Sequence, residues 1–354
     1  MRIAVLVLDR VFDSGLAIML DTFATANELA GRRPGIEVIA CGTRATATTA
    51  NGLRIALADA TGVRSPDVVV VPALGAKTRD TILDALESAE VRRAGELLRA
   101  WSKAGAITAG ACTATFVLAR SGLLDGRRAT TTWWLSPVFR EAFPRVALDD
   151  HKMLVKSSRF VTAGAALAHV DLALWLVRQR SPALAQLAAR YLVFDERPSQ
   201  ASFIAPDHLA HADPLVARFD DWLRHHLDDF TLAGAARQLG TSERTLERRL
   251  RTILGKTPVS YLQDVRVELA IHRLRTTGQS IEEIASAVGY RDGVTLRTLL
   301  RRKTGRGVRE FRGRARLRAG RAGISGGATV RHASVIAART SAIRARRSSI
   351  SRAG

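Results

Sequence analysis

A cysteine in a turn of small residues is the position of this sequence best suited to covalent chemistry. Residues 106–114 predict a strand that runs into a turn holding Cys112 and Thr113, and a helix follows over 115–120. Small neighbours allow the strained strand-turn-helix geometry of a nucleophile elbow. At a helix N-terminus, the dipole and the free N–H groups favour a thiolate. The pattern therefore predicts a lowered pKa for Cys112, although a lone cysteine is more often a buried structural residue.

A cysteine nucleophile also needs a nearby base, usually a histidine that a third group orients. His151 and His169 are the candidates, yet nothing in the sequence brings either one to Cys112, and His169 better fits a helix cap or a packed polar residue. His208 and His211 lie between two prolines, but no cysteine or paired carboxylate completes a metal set there. We therefore predict no metal and no cofactor, and we favour a pocket that binds a small molecule without turning it over.

Loops that follow the predicted strands supply the other residues of such a pocket. The turn at 13–15 opens a helix whose N–H groups suit an anion or polar ligand, although simple helix capping explains its Asp and Ser equally well. The loop at 73–76 follows a second strand, and two tryptophans at 133–134 either wall a pocket or fill the core. The candidate ligand-binding residues are Asp13, Ser14, Gly15, Gly75, Cys112, Thr113, Thr132 and Trp133.

Two helix-glycine-helix patterns lie in the last third of the chain, over 231–250 and 280–300. In each, small residues let two short helices cross closely and a glycine permits the turn between them; these residues are Ala235, Ala236 and Gly240, then Ala285 and Gly289. The second helix of such a unit can lie in the major groove of DNA with its polar face on base edges. One such pattern is common in helical proteins, whereas two with arginine-rich second helices indicate a DNA-binding domain.

Helical spacing divides each second helix into an inner and an outer face. The inner residues are predicted to be Leu246, Leu250, Ile253, Leu296 and Leu300. The residues left to face double-stranded DNA are Ser242, Glu243, Arg244, Glu247, Arg248, Arg251, Arg291, Thr295, Arg297, Thr298 and Arg301. Between the two units, Pro258 begins a helix whose buried stripe is predicted to be Val259, Leu262, Val265, Leu269 and Leu274.

Alternating strands and helices must position the cysteine turn. Continuous apolar runs at 3–8, 36–40 and 67–72 have the length of buried parallel strands, and helical segments such as 16–29 and 81–101 lie between them. This order predicts an α/β domain with a doubly wound, flavodoxin-like sheet. In such sheets ligands collect beyond the carboxyl ends of the strands, where the cysteine turn would lie.

The two helix-turn-helix patterns resemble the DNA-binding domain of AraC/XylS-type transcription regulators. The resemblance rests on S-E-R-T-L-E-R-R-L at 242–250, L-G-K-T-P-V-S-Y-L-Q-D-V-R-V-E-L-A at 254–270 and I-E-E-I-A-S-A-V-G-Y-R-D at 281–292. Leu296 and Leu300 stand where that family usually has phenylalanine. Thr298 stands where it often has arginine, which implies that the second unit positions the DNA backbone more than it distinguishes bases.

The first half resembles the amidotransferase-like PfpI domain of GlxA-like regulators, through residues 106–134, 169–177 and 197–204. Together the two resemblances cover residues 1 to about 312 and imply a class I glutamine amidotransferase-like fold followed by an all-α domain. The family commonly places a histidine where Thr132 stands. A threonine hydroxyl cannot act as a general base near neutral pH, so the resemblance implies a degenerate nucleophile position at Cys112 and no catalytic residue.

Composition agrees with a nucleic-acid partner but locates half of the excess charge in one segment. The net charge is +21 over 354 residues, and residues 312–354 contain 11 arginines and no acidic residue. Such a segment cannot bury enough apolar surface to order itself. We favour a dispensable solvated tail over an arm that adds salt-sensitive affinity for phosphates. Two cysteines, no signal peptide and no membrane-length apolar stretch fit a cytoplasmic protein.

The sequence thus predicts a ligand-sensing domain over 1–185, a linker over 186–213, a DNA-binding domain over 214–312 and a disordered tail over 313–354. We interpret the chain as a homodimeric transcription regulator, not an enzyme, that senses an unknown small-molecule effector, with RNA polymerase as a candidate partner. The alternative is a cysteine-dependent amidase or hydrolase with an accessory DNA-binding domain. A weaker alternative is a constitutive DNA-organising protein with a vestigial first domain.

Overall fold

The apolar runs of the first half form strands of one sheet in the computed structural model, which describes residues 1–31, 35–195, 197–205 and 213–312. The strands are β1 (Arg2–Leu6), β2 (Glu37–Gly42), β3 (Thr46–Thr48), β4 (Arg54–Ala56), β5 (Ala58–Asp59), β6 (Val68–Val71), β7 (Ile107–Ala111), β8 (Arg128–Ala129), β9 (Ala147–Leu148), β10 (Leu154–Ser157) and β11 (Phe160–Ala163). Seven of them form the central sheet in the order β10-β11-β7-β6-β1-β2-β5. All neighbours in this sheet are parallel except β10 and β11.

Helices cover both faces of this sheet, so the predicted doubly wound α/β fold is confirmed. They are α1 (Asp13–Leu29), α2 (Arg79–Leu86), α3 (Ala89–Lys103), α4 (Ala114–Arg120), α5 (Ser136–Ala142), α6 (Ala168–Arg180) and α7 (Pro182–Tyr191). One apolar core joins the sheet to α2, α3, α4 and α5, and the other joins it to α1, α6 and α7. Successive residues of β1 face the two cores in turn, because side chains alternate along a strand.

The predicted single helix over 81–101 is wrong, since the chain forms α2 and α3 there. Ser88 separates the two helices, because its backbone is extended. Its hydroxyl accepts a hydrogen bond from the Val91 N–H and caps α3. A serine in this role satisfies a backbone donor that the first turn of a helix leaves free. The apolar periodicity continues across the break, so the periodicity alone did not reveal it.

The last third of the described chain is all helical, as predicted. Its helices are α8 (Pro214–Arg224), α9 (Leu232–Gln238), α10 (Glu243–Leu254), α11 (Pro258–Thr276), α12 (Ile281–Ala287) and α13 (Gly293–Thr304). Pairs α9–α10 and α12–α13 are the two helix-turn-helix units. Gly240 and Gly289 make their turns with φ of 65° and 82°, in the left-handed region that favours glycine.

Helix α11 joins the two units, as the sequence predicts, but its buried stripe differs at one end. Val259 is 56% exposed, because the helix instead buries the face that carries Pro258, Tyr261, Leu262 and Val265. The bulky Tyr261 fills the core at this end, and its hydroxyl donates a hydrogen bond to Asp220 Oδ1 at 2.9 Å.

Residues 1–308 form one compact unit. The arginine-rich tail predicted over 313–354 lies outside the described residues, as do His208 and His211. Among the helices that the structure describes, none has the length and apolar character to cross a membrane.

Candidate functional site

Cys112 lies at the carboxyl end of β7, in a strained turn that leads into α4. Its φ is 56°, a left-handed conformation that is uncommon for a residue with a side chain. Its N–H donates to the Ala163 carbonyl at 2.8 Å, and its carbonyl accepts a hydrogen bond from Thr131 Oγ1 at 2.8 Å. Bonds on both sides of the residue therefore hold the backbone in this conformation.

The Cys112 thiol is not activated, which corrects the prediction of a lowered pKa. The side chain is buried, and burial raises its pKa to about 12. The nearby Thr113 N–H and the hydroxyl groups of Thr113 and Thr132 favour the thiolate but do not offset the loss of hydration. The sequence argument overestimated the helix terminus because it did not account for burial.

A cavity of about 470 Å³ opens beside the thiol, beyond the carboxyl ends of β6 and β7. Its walls are mostly apolar, and Lys77 carries the single charge among the described residues that line it. The lining residues are Phe12, Ala73, Leu74, Gly75, Ala76, Lys77, Cys112, Trp133, Trp134 and Ala166. Three of the predicted ligand-binding residues are thus brought together here: Gly75, Cys112 and Trp133.

The other candidate residues lie near this cavity without lining it. Asp13 accepts hydrogen bonds from the backbone and the side-chain amide of Asn51, and Ser14 is exposed. Gly15 is buried against the ring of His169. Thr113 donates to the Leu74 carbonyl at 2.7 Å. Thr132 is buried behind the thiol.

His169 is a packed polar residue that holds the cavity wall. Its ring is buried, and Nε2 accepts a hydrogen bond from the Ala73 N–H at 3.0 Å. The Nδ1 atom therefore carries the proton and donates to the Ala166 carbonyl at 2.6 Å. Burial lowers the pKa of His169 to about 4, so the ring is neutral at physiological pH. Both partners of the ring are backbone groups of cavity-lining residues.

The loop at 73–76 uses two of its N–H groups for hydrogen bonds within the protein. The Ala73 N–H is taken by His169, and the Gly75 N–H donates to the Arg10 carbonyl at 2.7 Å. A side chain at position 75 would also collide with Ala50, since an added Cβ would lie 2.3 Å from the alanine methyl group. Gly75 therefore contributes shape to the wall, and the cavity selects a ligand mainly by apolar contact.

Gln200 supports the cysteine turn and was missed by the sequence interpretation. It is buried, and Nε2 donates to the Thr131 carbonyl at 2.9 Å. Gly164 makes room for it, because an added Cβ at that position would lie 2.6 Å from the amide nitrogen. The R-P-S-Q run was noticed only as part of a resemblance, and no pattern of spacing marked the glutamine as buried.

The outer faces of α10 and α13 are exposed as predicted, over buried leucines. Leu246, Leu250, Leu296 and Leu300 are fully buried, and Ile253 is 8% exposed. Of the eleven predicted DNA-facing residues, Glu247 is half-buried and the other ten are exposed: Ser242, Glu243, Arg244, Arg248, Arg251, Arg291, Thr295, Arg297, Thr298 and Arg301. Their contact with DNA stays a prediction.

An ion pair holds one arginine on each outer face. Arg297 pairs with Glu282 of α12 at 2.9 Å, and Arg251 pairs with Glu247 one turn away at 3.1 Å. No ion pair holds Arg244 or Arg248 in the part of the chain that the structure describes. These two arginines lie one turn apart on α10, so they can meet the same groove without first breaking an ion pair.

Serine and aspartate caps begin the two outer helices. Ser242 accepts a hydrogen bond from the Thr245 N–H and caps α10. Asp292 accepts bonds from both the N–H and the hydroxyl of Thr295 and caps α13. Ser242 and Thr295 were predicted only as DNA-facing residues, and both also stabilise the helix start.

Comparisons with known proteins agree with this two-part arrangement. A family model described as the DJ-1/PfpI family matches residues 1–179, and one described as a helix-turn-helix domain matches residues 235–333. The transcriptional regulator CdhR of Pseudomonas aeruginosa is 30% identical over 198 residues, covering 54% of this chain and 59% of CdhR. GbdR of the same species is 28% identical over 201 residues, covering 54% of each chain.

A third relative matches more of the chain. The transcriptional regulator GlxA of Rhizobium meliloti is 27% identical over 280 residues, covering 75% of this chain and 81% of GlxA. By contrast, the chain spans between half and two thirds of the length of CdhR and GbdR. The family match over residues 1–179 includes the cysteine turn and its cavity. The chain belongs to the DJ-1/PfpI family and carries an AraC-type helix-turn-helix domain after its DJ-1/PfpI domain.

Proposed function

We propose that this protein is a sequence-specific transcription regulator whose first domain binds a small effector in the Cys112 cavity. The observation that carries the proposal is the pair of helix-turn-helix units, each presenting an exposed, arginine-bearing outer helix over a buried leucine core. Arginine can bond guanine through two hydrogen bonds in the major groove. Two such helices on one chain suit two neighbouring groove segments.

The effector class follows from the cavity. A volume of about 470 Å³ with apolar walls suits a small organic molecule, and the aromatic rings of Trp133 and Trp134 offer flat contact surfaces. Lys77 at the wall favours a ligand with an acidic group. We therefore expect a small, largely apolar carboxylic acid or related anion. The buried, protonated thiol supports binding without turnover.

A homodimer is part of this proposal, because paired half-sites double the number of bases that one regulator reads. RNA polymerase is the further partner through which a bound regulator would act on transcription. Sedimentation of the free protein and of its DNA complex measures the stoichiometry, and a single protomer on every selected duplex would remove the dimer from the proposal.

Selection of bound duplexes from a random DNA library tests the proposed function. We expect a defined consensus that spans two adjacent major-groove segments, with footprints that the Arg244→Ala and Arg248→Ala variants weaken. Non-specific affinity should fall steeply with salt, whereas the preference for the consensus should persist. Recovery of unrelated sequences with uniform affinity would favour a DNA-organising protein instead.

A further inference from the structure

One aromatic residue lines the effector cavity and also packs against the core of the DNA-binding domain. Trp133 lines the cavity beside Cys112. The same side chain packs against the apolar cluster that includes Leu246, Leu250 and Ile253 of α10. A ligand that fills the cavity therefore meets a side chain that also packs against the core containing the first recognition helix. Packed interiors transmit such displacements because they contain little free space.

The chain segment that follows Trp133 contacts the C-terminus of α10, the first recognition helix. The short helix Trp133–Leu135 continues directly into α5, and α5 lies against α10. At the C-terminus of α10, Gly255 adopts φ of 66°, and an added Cβ there would lie 2.5 Å from Arg140 Nε of α5. The arginine therefore lies against the backbone that ends α10, where a side chain in place of the glycine hydrogen would force the guanidinium to move.

Buried charges hold this contact in place. Arg140 forms an ion pair of 2.9 Å with Asp150, and both side chains are largely buried. Arg140 and Lys256, the residue after Gly255, hold the pKa of Asp150 at about 2 despite its burial. Lys256 in turn pairs with Asp264 of α11 at 2.7 Å, and Lys303 of α13 pairs with the same carboxylate at 2.8 Å. The charges thus link the first domain to both helix-turn-helix units.

We propose that occupancy of the Cys112 cavity sets the position of the first recognition helix, through Trp133 and α5, with Arg140 as the positioning residue. The inference rests on the proposed function, and it specifies how the effector reaches the DNA-binding domain. The contact lies at the inner face and C-terminus of α10, while Arg244 and Arg248 stay exposed. The first domain therefore acts by placing α10 relative to α13 and not by covering the DNA-binding face.

A built-in ligand mimic tests this coupling without knowledge of the effector. Ala166 lines the cavity, so Ala166→Phe places an aromatic ring inside it. In the otherwise unchanged full-length protein, we expect this substitution to change the Kd for the selected duplex by about fivefold or more, within the usual range of allosteric coupling. In an Arg140→Ala background the same substitution should change Kd by less than about twofold.

Matched variants separate this coupling from general damage. Arg79→Ala removes an exposed ion pair with Glu141, which also lies on α5, and should leave the effect of Ala166→Phe intact. Because Arg140→Ala leaves Asp150 buried without its partner, a second variant combines Arg140→Gln with Asp150→Asn and should uncouple equally. Circular dichroism identifies variants that fail to fold.

Three results would overturn the inference. If Ala166→Phe changes the Kd equally with and without Arg140, the cavity is coupled to α10 by contacts other than those of Arg140. No effect of Ala166→Phe on a protein that still selects its duplex would show that the cavity is uncoupled, while the proposed DNA-binding function stands. If the unmodified protein shows no preference for any duplex over random DNA, the proposed function itself is wrong.

Discussion

The cysteine cavity and the DNA-binding face differ in how burial and exposure set the charge of their side chains. At the cavity, burial keeps the Cys112 thiol and the His169 ring neutral, since it raises one pKa and lowers the other. At the DNA-binding face, exposure keeps arginines charged and hydrated above a buried leucine core. Residue type alone would assign covalent chemistry to the first region. The comparison teaches that burial decides whether a reactive residue type keeps its reactivity.

The largest expected effect concerns the rate at which Cys112 reacts. A thiol with a pKa of about 12 has about 1,000-fold less thiolate at pH 8 than a thiol with its ordinary pKa of 9.0. Alkylation by iodoacetamide should slow by a similar factor relative to the unfolded chain. Mass spectrometry of the peptide that contains Cys112 measures the rate.

A Cys41→Ser background removes the other buried thiol, whose pKa is also raised to about 12. In that background, Cys112→Ser should leave the affinity for the selected duplex unchanged, because the DNA-binding domain has its own core. If the protein turns over an amide or dicarbonyl substrate and Cys112→Ser abolishes that turnover, Cys112 is reactive despite its burial. That result would support a hydrolase.

The next largest effect concerns acid stability. The folded state lowers the pKa of His169 from 6.5 to about 4, so the unfolded chain binds the proton more tightly. The histidine's contribution to stability is complete above pH 6.5 and is lost as the pH falls to about 4. Across this range the free energy of unfolding should fall by about 3 kcal/mol.

Urea titrations between pH 7 and pH 4 measure this loss. Because burial also lowers the pKa of His151, the contribution of His169 is the difference between the unmodified protein and His169→Gln. A glutamine can still accept the Ala73 hydrogen bond but takes up no proton. Parallel pH profiles for the two proteins would mean that the ring is not buried as a neutral group.

A smaller effect is expected from each arginine of the first recognition helix. Arg244→Ala or Arg248→Ala should weaken binding to the selected duplex by about 1–3 kcal/mol if the arginine contacts a base. Binding to random duplex should change less, because phosphate contacts persist. Fluorescence anisotropy titrations on both duplexes measure the difference. Unchanged affinity for the selected duplex in both variants would show that α10 is not the recognition helix.

The smallest effect is expected in the second unit. Arg297 is already paired with Glu282, so the DNA must compete for it, and Arg297→Ala should cost less than about 1 kcal/mol. Glu282→Ala is the matched control, because it frees the arginine and should not weaken binding. A complete loss of base preference in one half of the footprint with Arg297→Ala would contradict this division between the two units.

Much of the fold followed from local patterns in the sequence. The continuous apolar runs predicted the buried parallel strands, and apolar spacing with Gly240 and Gly289 predicted both helix-turn-helix units. The failures were local: Ser88 divides a predicted helix, and Val259 faces solvent. The break at Ser88 depends on one helix cap. The exposure of Val259 depends on which of two neighbouring faces of α11 packs against the core. Apolar periodicity does not distinguish these outcomes.

Sequence by itself determined most of the strands and helices, because backbone periodicity and turn residues act over a few positions. Only the tertiary structure decided the state of Cys112, since desolvation depends on everything packed around the thiol. It also decided the roles of Gln200, Arg140 and Trp133. Their partners lie far away in the chain, and no local pattern records which distant residues will meet.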